Sequence, residues 1–293
     1  MKHPSPVQRR QGLLSLVGAA FCLGWIGVFM RRIEVTPAAT VVFYRAFLTM
    51  VTLLVFVRPL RPPALPRRWA TLLAFGALQA STYVFYLSSY RYTSVANAAF
   101  LHYLAPVFVL LLAPLLLRER VQQRVLLAVV PALVGTALLT GMRELLRGHF
   151  SPGDLLAIAS ALTYAGYTLL GRAIGQRTNA LRVALWVHVV AVPFVGGFNL
   201  LVSGDFVVAL SELPYVLLLA FVSTTLAFVL FFRGLQVVPA SQATLVMLLS
   251  PVTNALLAWL VVGEPLALRQ ALGAVLVVLA AYLVQRRRID DSD

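Results

Sequence analysis

The chain has 293 residues, of which 60% are hydrophobic and 12% are charged, and its mean hydropathy is +0.88. Soluble domains carry roughly 25% charged residues, so this composition excludes an ordinary soluble protein. The net charge of +14 does not indicate nucleic-acid binding, because the basic residues form short clusters between apolar runs. We therefore predict an all-α integral membrane protein whose solvent is the lipid bilayer.

Ten apolar segments are long enough to cross a bilayer, which takes about 20 residues each. The first follows a basic N-terminus like the apolar part of a signal peptide, but many further spans follow it, and we interpret it as an uncleaved helix. The connections are too short for a second, soluble domain. The predicted spans lie at 11–30, 38–57, 70–90, 95–117, 124–142, 153–173, 181–202, 213–233, 240–262 and 267–285.

The distribution of basic residues predicts the orientation of these spans. Seventeen lie on the side that carries the two termini, six lie on the other side, and Arg45 lies within a span. Basic residues are retained in the cytoplasm, so both termini are predicted to be cytoplasmic. The even number of spans agrees with this.

The two halves of the chain resemble each other at a shift of 145 residues. From about 84 to 139 no gap is needed, and 14 of 56 positions are identical. Five spans per half is an odd number, so the second half must be inverted relative to the first. We predict two inverted five-helix repeats, at 1–145 and 146–293. The most informative matches are Pro106 with Pro251, Glu119 with Glu264, and Arg124 with Arg269.

Small residues recur on the fifth and tenth spans. Ala128 and Gly135 match Gly273 and Ala280 at the same shift, seven residues apart in each span. Positions seven apart share a helix face, and small residues there allow two helices to approach closely. We predict that these two spans form a scaffold.

Ten spans, the five-plus-five duplication, arginine-rich tails and the repeated Pro-to-Glu spacing (Pro106 to Glu119, Pro251 to Glu264) resemble the drug/metabolite transporter superfamily, EamA branch. Within it the chain is most similar to bacterial YddG-type exporters of aromatic and other neutral amino acids. The resemblance covers nearly the whole chain. It implies a bacterial inner-membrane exporter that works by alternating access and needs no cofactor.

The two matched prolines are predicted hinges. Each lies in mid-span and removes a backbone donor, which frees the carbonyl of His102 or Met247, four residues earlier. A kink at Pro106 and Pro251 would let two half-helices tilt separately, whereas the alternative is a static kink that improves packing.

Arg45 is the only charged residue well inside a span. Such a charge is costly and is a functional-site candidate by default. It lies roughly 10 Å below the predicted outer end of its helix. It is therefore either a cavity cation for a substrate carboxylate or a side chain that snorkels to the interface.

His102 and His188 also lie within spans. Either could couple a proton, because histidine titrates near neutral pH. We favour neutral histidines bonded to a carbonyl or hydroxyl, and the lack of a carboxylate deep within a span makes proton coupling through such a group poorly supported.

Aromatic and polar side chains in several spans suit a cavity for a neutral, partly apolar solute. The alternative for the aromatic residues is packing or an interfacial belt. Besides Arg45, His102 and His188, the predicted cavity residues are Trp25, Gln79, Tyr83, Tyr86, Tyr103, Thr163, Tyr164, Tyr167, Trp186, Phe228 and Asn254.

These observations favour an exporter of neutral or aromatic amino acids. An exchanger of phosphorylated metabolites would need several cavity cations, and Arg45 is the only one. The sequence is also compatible with a multidrug exporter of the same superfamily and with a membrane scaffold. No enzyme motif, catalytic residue or metal site is predicted, and the sequence leaves the oligomeric state open, with a monomer possible.

Overall fold

The computed structural model describes residues 5–57, 68–141, 148 and 150–285. Over these residues the protein is a bundle of ten long apolar helices, which confirms the predicted all-α membrane architecture. The main difference at the ends is that the first helix begins five residues earlier than predicted. The helices are α1 Pro6–Met30, α2 Ala38–Phe56, α3 Arg68–Ser89, α4 Val95–Leu117, α5 Gln123–Thr140, α6 Pro152–Gly175, α7 Ala180–Val202, α8 Leu213–Leu235, α9 Ala240–Val262 and α10 Leu268–Gln285.

Helices α1 and α6 begin with the same local device. Ser5 and Ser151 each precede a proline, and each serine side chain accepts the N–H of the third helical residue, Gln8 or Asp154. The side chain of that residue in turn accepts the serine N–H. This reciprocal capping box satisfies two backbone donors, and the proline has no N–H to leave unpaired. The early start of α1 follows from this cap, which hydropathy does not register.

We call the end of the bundle where α1 begins and α10 ends the terminal face, and the other end the opposite face. The α4–α5, α6–α7 and α8–α9 connections lie at the terminal face, and the α1–α2, α3–α4, α7–α8 and α9–α10 connections lie at the opposite face. Several basic residues used to predict orientation, at 58, 61, 67 and 286–288, lie outside the described residues, as does the predicted 145/146 boundary.

The first five helices pack mainly against the last five. Helix α1 packs against α8 and α9, and α6 packs against α3 and α4. Helix α3 also packs against α7, and α8 against α2, while α2–α7 and α5–α10 form two further pairs. The contacts repeat when every helix is replaced by its equivalent in the other half, five helices away. For example, the α1–α8 and α1–α9 contacts correspond to α6–α3 and α6–α4. Each half therefore buries its inner faces on the other half.

Helices α4 and α9 are both interrupted near their middles. Helix α4 runs as Val95–His102 and resumes as Ala105–Leu117, and α9 breaks between Met247 and Leu249. Pro106 and Pro251 follow these breaks closely, because neither can donate the N–H that a continuous helix requires. The predicted interruption is confirmed, whereas a hinge motion there stays a prediction.

The ends of α4 and α9 also match. Arg118 and Gly263 adopt left-handed backbone conformations, with φ of 56° and 80°. The next residue in each case, Glu119 or Glu264, donates its backbone N–H to a carbonyl six residues back. A left-handed residue commonly ends a helix, but the usual closing bond spans five residues, so both ends are one residue wider than the usual motif.

Helices α5 and α10 make a backbone-to-backbone contact at two glycines. A Cβ added to Gly135 would lie 2.6 Å from the carbonyl oxygen of Gly273, and one added to Gly273 would lie 2.5 Å from that of Gly135. Ala128 and Ala280 are also buried. The predicted small-residue contact is confirmed.

A carboxylate joins the α1–α2 loop to the start of α8 at the opposite face. Glu212 accepts the backbone N–H groups of Glu34 and Val35 at 2.7 Å and that of Thr36 at 2.9 Å. Ala209 donates its N–H to the Thr36 hydroxyl. Hydrogen bonds from the Thr36 side chain and from the loop backbone lower the pKa of Glu212 to about 2.

Gly135→Leu is expected to abolish or strongly reduce the yield of folded protein, since overpacking a tight contact costs roughly 1–3 kcal/mol or more. The matched control is Gly197→Leu on α7, where an added Cβ meets nothing within 4 Å. Size-exclusion chromatography in detergent measures both variants. Equal yields would contradict the α5–α10 contact.

Glu212→Gln is expected to lower the melting temperature at neutral pH, because the amide is a weaker acceptor for three backbone donors. The pKa is depressed in the folded state from about 4.5 to about 2. The extra stability is therefore present above pH 4.5 and disappears as the pH falls towards 2. Melting curves between pH 7 and 3 should show the gap to Glu212→Gln closing. Glu34→Gln, at an exposed neighbouring carboxylate, should show no such gap.

Candidate substrate-binding site

Helix α8 contains a π-helical turn at Phe221–Leu226, close to its middle. In a π turn the backbone hydrogen bonds span five residues instead of four. Some backbone carbonyls therefore need different partners than in a regular α-helix. Thr224 and Thr225 donate their hydroxyls, each at 2.9 Å, to the carbonyls of Leu219 and Ala220, five residues back. Such turns occur frequently at functional sites. Here the turn directs Thr224 towards α2.

Arg45 reaches into the bundle rather than towards the lipid interface. It lies seven residues into α2, and its Nε–H donates to Thr224 Oγ1 at 3.0 Å. Its guanidinium carbon lies 6.0 Å from the ring centroid of Tyr83, within cation–π range. Among the described residues no carboxylate pairs with it. The two terminal nitrogens are therefore available to an anionic group.

Gln79 connects Tyr83 to His188. Its Nε2 lies 3.3 Å from the Tyr83 hydroxyl and 3.3 Å from His188 Nε2. The other ring nitrogen, Nδ1, lies 2.7 Å from the carbonyl oxygen of Ala184 and must donate to it. Nε2 is then the acceptor for the Gln79 amide, so His188 is the neutral Nδ1–H tautomer. The Oε1 atom of Gln79 is buried and has no partner among the described residues.

His102 lies at the α4 break and faces several tyrosines. The Ser160 hydroxyl donates to its own helix at the Ala157 carbonyl, so His102 Nδ1–H donates to Ser160 Oγ at 2.9 Å. The His102 ring centroid lies 4.7 Å from that of Tyr86, 5.5 Å from that of Tyr164 and 5.9 Å from that of Tyr103. These rings remain partly exposed although they lie inside the bundle.

Phe228 joins the two groups of side chains. Its ring centroid lies 4.9 Å from that of His188 and 6.4 Å from that of Tyr167. Tyr167 in turn lies 5.0 Å from Tyr164. One continuous cluster therefore carries a single cation, neutral hydrogen-bonding groups and many ring faces. We call it the central cluster, and its members are Arg45, Gln79, Tyr83, Tyr86, His102, Tyr103, Tyr164, Tyr167, His188, Thr224 and Phe228.

Four predicted cavity residues lie elsewhere. Trp25 stacks on Phe29 at 5.3 Å, in an apolar group with the start of α8. Trp186 packs edge-on against the exposed Trp69 at 6.3 Å.

Thr163 and Asn254 lie at contacts between helices. Thr163 accepts the Thr82 hydroxyl at 2.9 Å and so joins α6 to α3. Asn254 packs against Gly27, which joins α9 to α1. Both residues lie outside the central cluster, and the cavity role predicted for them stays a prediction.

Thr224 belongs to the central cluster and Ser160 bonds to its member His102, although sequence reasoning found neither residue. Threonine and serine in apolar helices usually bond to their own backbone, so neither residue type marks a site. The run Ser223–Thr224–Thr225 in mid-span was the available signal for the π turn, since hydroxyls can satisfy the carbonyls that such a turn frees.

Ten apolar helices around a polar and aromatic centre define a multi-pass membrane protein. The sequence model of the EamA-like transporter family matches residues 10–141 and 151–286, one match for each half. The chain belongs to this family.

Its relatives cover nearly the full length. An uncharacterized transporter of Archaeoglobus fulgidus is 28% identical over 94% of this chain and 97% of its own. The uncharacterized transporter YxxF of Bacillus subtilis is 27% identical, over 97% and 92%. The pseudopaline exporter CntI of Pseudomonas aeruginosa is 25% identical, over 95% and 97%.

One solved crystal structure of another protein superposes with a TM-score of 0.79 at 19% identity. The match covers 94% of this chain and 96% of that chain, which shows a shared fold.

Thr224→Val tests the link between the π turn and Arg45. A hydrogen bond to a charged group is worth roughly 1.5–3 kcal/mol, so a double-mutant cycle with Arg45→Leu should give a coupling energy of that order. Unfolding in detergent measures the four proteins. The matched cycle uses Thr225→Val, whose hydroxyl bonds to α2 at Thr49 instead, and it should be additive. Additivity in both cycles would contradict the contact.

Proposed function

We propose that the protein exports small metabolites bearing a carboxylate, above all aromatic and other neutral amino acids, across a bacterial inner membrane. The halves 1–145 and 146–293 alternate access to the central cluster between the two faces. The terminal face, with both chain ends, is cytoplasmic. This orientation rests on the excess of basic residues predicted for that side.

The observation that carries this proposal is the unpaired guanidinium of Arg45 beside the Tyr83 ring. A charge at the centre of a membrane helix costs roughly 2.5–3.5 kcal/mol on insertion scales, so an unpaired one calls for a function. The planar guanidinium can bind a carboxylate through two parallel hydrogen bonds. The substrate carboxylate would then supply the negative charge that Arg45 lacks among the described residues.

The surroundings of Arg45 suit the rest of an amino acid. The orphaned Oε1 of Gln79 is an acceptor for an ammonium group close to Tyr83. The rings of Tyr86, Tyr164 and Phe228 offer faces for an aromatic or apolar side chain. A phosphorylated solute would carry at least two negative charges, and Arg45 could balance only one of them. Its charge would therefore match the cluster less well than that of an amino acid.

Export as the direction is supported by analogy with the relative named as a pseudopaline exporter, at 25% identity. That name belongs to the relative, and the substrate proposed here comes from the central cluster.

Uptake into liposomes that contain the purified protein tests the function. Radiolabelled tryptophan, phenylalanine, threonine and a nucleotide sugar are offered separately, with and without a pH gradient. Saturable amino-acid flux supports the proposal, and its gradient dependence separates antiport from facilitated diffusion. Flux of the nucleotide sugar alone overturns the proposed substrate class.

Arg45→Leu is expected to raise the half-saturating amino-acid concentration by about tenfold or more, the equivalent of one charge-assisted hydrogen bond. Arg45→Lys keeps the charge but loses the bidentate hydrogen-bonding geometry. Its half-saturating concentration should therefore lie between those of the unchanged protein and Arg45→Leu. The matched control is Arg32→Leu, at an exposed arginine just beyond the end of α1. Unchanged transport by a correctly folded Arg45→Leu protein removes Arg45 from the site.

A further inference from the structure

The repeated segments of α4 and α9 are packed very differently. All eight residues of Ala240–Met247, the first part of α9, are buried. In the equivalent first part of α4, Val95–His102, only Asn97, Ala98 and Leu101 are buried, and Val95 is 61% exposed. The sequence repeat is therefore not matched by a repeat in burial.

The same asymmetry appears in the contacts between α4 and α9. At the terminal face, Ala240–Met247 packs against Ala105–Leu117. Over the described residues, the equivalent pair at the opposite face, Val95–His102 and Leu249–Leu257, makes no comparable contact. The two helices thus meet at the terminal face and part at the opposite face, where they leave the rings around His102 partly exposed.

Glu119 lies where the closed ends converge. Its Oε1 accepts Arg172 Nε–H at 3.0 Å, and its Oε2 accepts the backbone N–H of Ala240 at 2.9 Å. Arg172 also donates to the carbonyl of Leu235, the last residue of α8. One carboxylate thereby ties together the ends of α4, α6 and α8 and the start of α9. A negative charge at the N-terminus of α9 is favourable in itself.

The equivalent glutamate at the opposite face, Glu264, bonds to fewer helices than Glu119 does. Glu264 pairs with Arg31 at the end of α1 through bonds of 2.6 and 2.8 Å. This pair is more exposed, at 37% and 46% of the side chains against 12% and 13% for the Arg172–Glu119 pair. Val95, the equivalent of Ala240, forms no bond with Glu264 among the described contacts.

We infer that Glu119 is a positioning residue that holds the gate at the terminal face closed, and that Glu264 is its counterpart for the other state. The structure is then the state open to the opposite face. When the molecule opens to the terminal face, Glu119 releases the α9 N-terminus and Glu264 engages the backbone N–H of Val95. This inference rests on the proposed alternating access and adds the residues that control it.

Cysteine labelling in lipid nanodiscs, where both faces are accessible, tests the inference without a substrate. In a Cys22→Ala background, the reporters are Ser241→Cys and Ala96→Cys, which lie 145 residues apart at equivalent positions. Glu119→Ala should raise the rate of maleimide labelling at position 241 by about tenfold and lower the rate at position 96. A merely structural role would raise both rates, and that result, or an unchanged rate at 241, overturns the inference.

Two further variants keep the test decisive. Glu119→Gln retains an acceptor for the Ala240 N–H but loses the ion pair, so it should produce a smaller change in the same direction. Glu264→Ala, the matched control, should not raise the rate at position 241. Reciprocal labelling without flux of any amino acid supports the gate and rejects the substrate, while flux without reciprocal labelling does the opposite.

Discussion

The bilayer constrains every part of this structure, because a backbone N–H or C=O in hydrocarbon must find its partner within the protein. Continuous helices meet this requirement on their own. Where a helix departs from regular geometry, other groups must supply those partners. In the π turn of α8, for example, the Thr224 and Thr225 hydroxyls satisfy the carbonyls of Leu219 and Ala220. Irregular backbone at membrane depth is tolerated where protein surrounds it, and the π turn of α8 lies beside the central cluster.

In the central cluster the one cationic side chain, Arg45, has no carboxylate partner among the described residues. His188 and His102 are each bonded through Nδ1–H to a local acceptor, and Arg45 is the only arginine, lysine or carboxylate side chain in the cluster. The cluster thus combines one unpaired cation, the orphaned Oε1 of Gln79 and many ring faces, and the proposed amino-acid substrate rests on these features.

Duplication gives the protein two equivalent sets of helices, yet this structure packs the two sets differently. The α4–α9 contact at the terminal face buries Ala240–Met247, and the two helices diverge from there towards Val95. Glu119 and Glu264 occupy equivalent positions but bond to different partners. Under the proposed alternating access, the two glutamates would exchange roles between the two states.

Much of the architecture could be predicted because the signals are local. Hydropathy was enough to predict the ten spans. Pro106 and Pro251 predicted the breaks in α4 and α9. The 145-residue shift predicted that the helix ends at Glu119 and Glu264 are equivalent. The predicted contact between Gly135 and Gly273 also required only their spacing. The start of α1 was missed by five residues, because a cap at Ser5 is a hydrogen-bonding feature that hydropathy does not contain.

The site itself depended on tertiary structure. Trp186 and His188 are two residues apart on α7, hence about 200° apart around the helix. His188 faces Gln79, while Trp186 faces Trp69. The sequence by itself determined which helices form, where they break and that they repeat, because these follow from composition and backbone chemistry. Only the packing of each helix against its neighbours decided which polar groups meet and where α4 and α9 touch, because rotation about a helix axis is set by the surfaces it contacts.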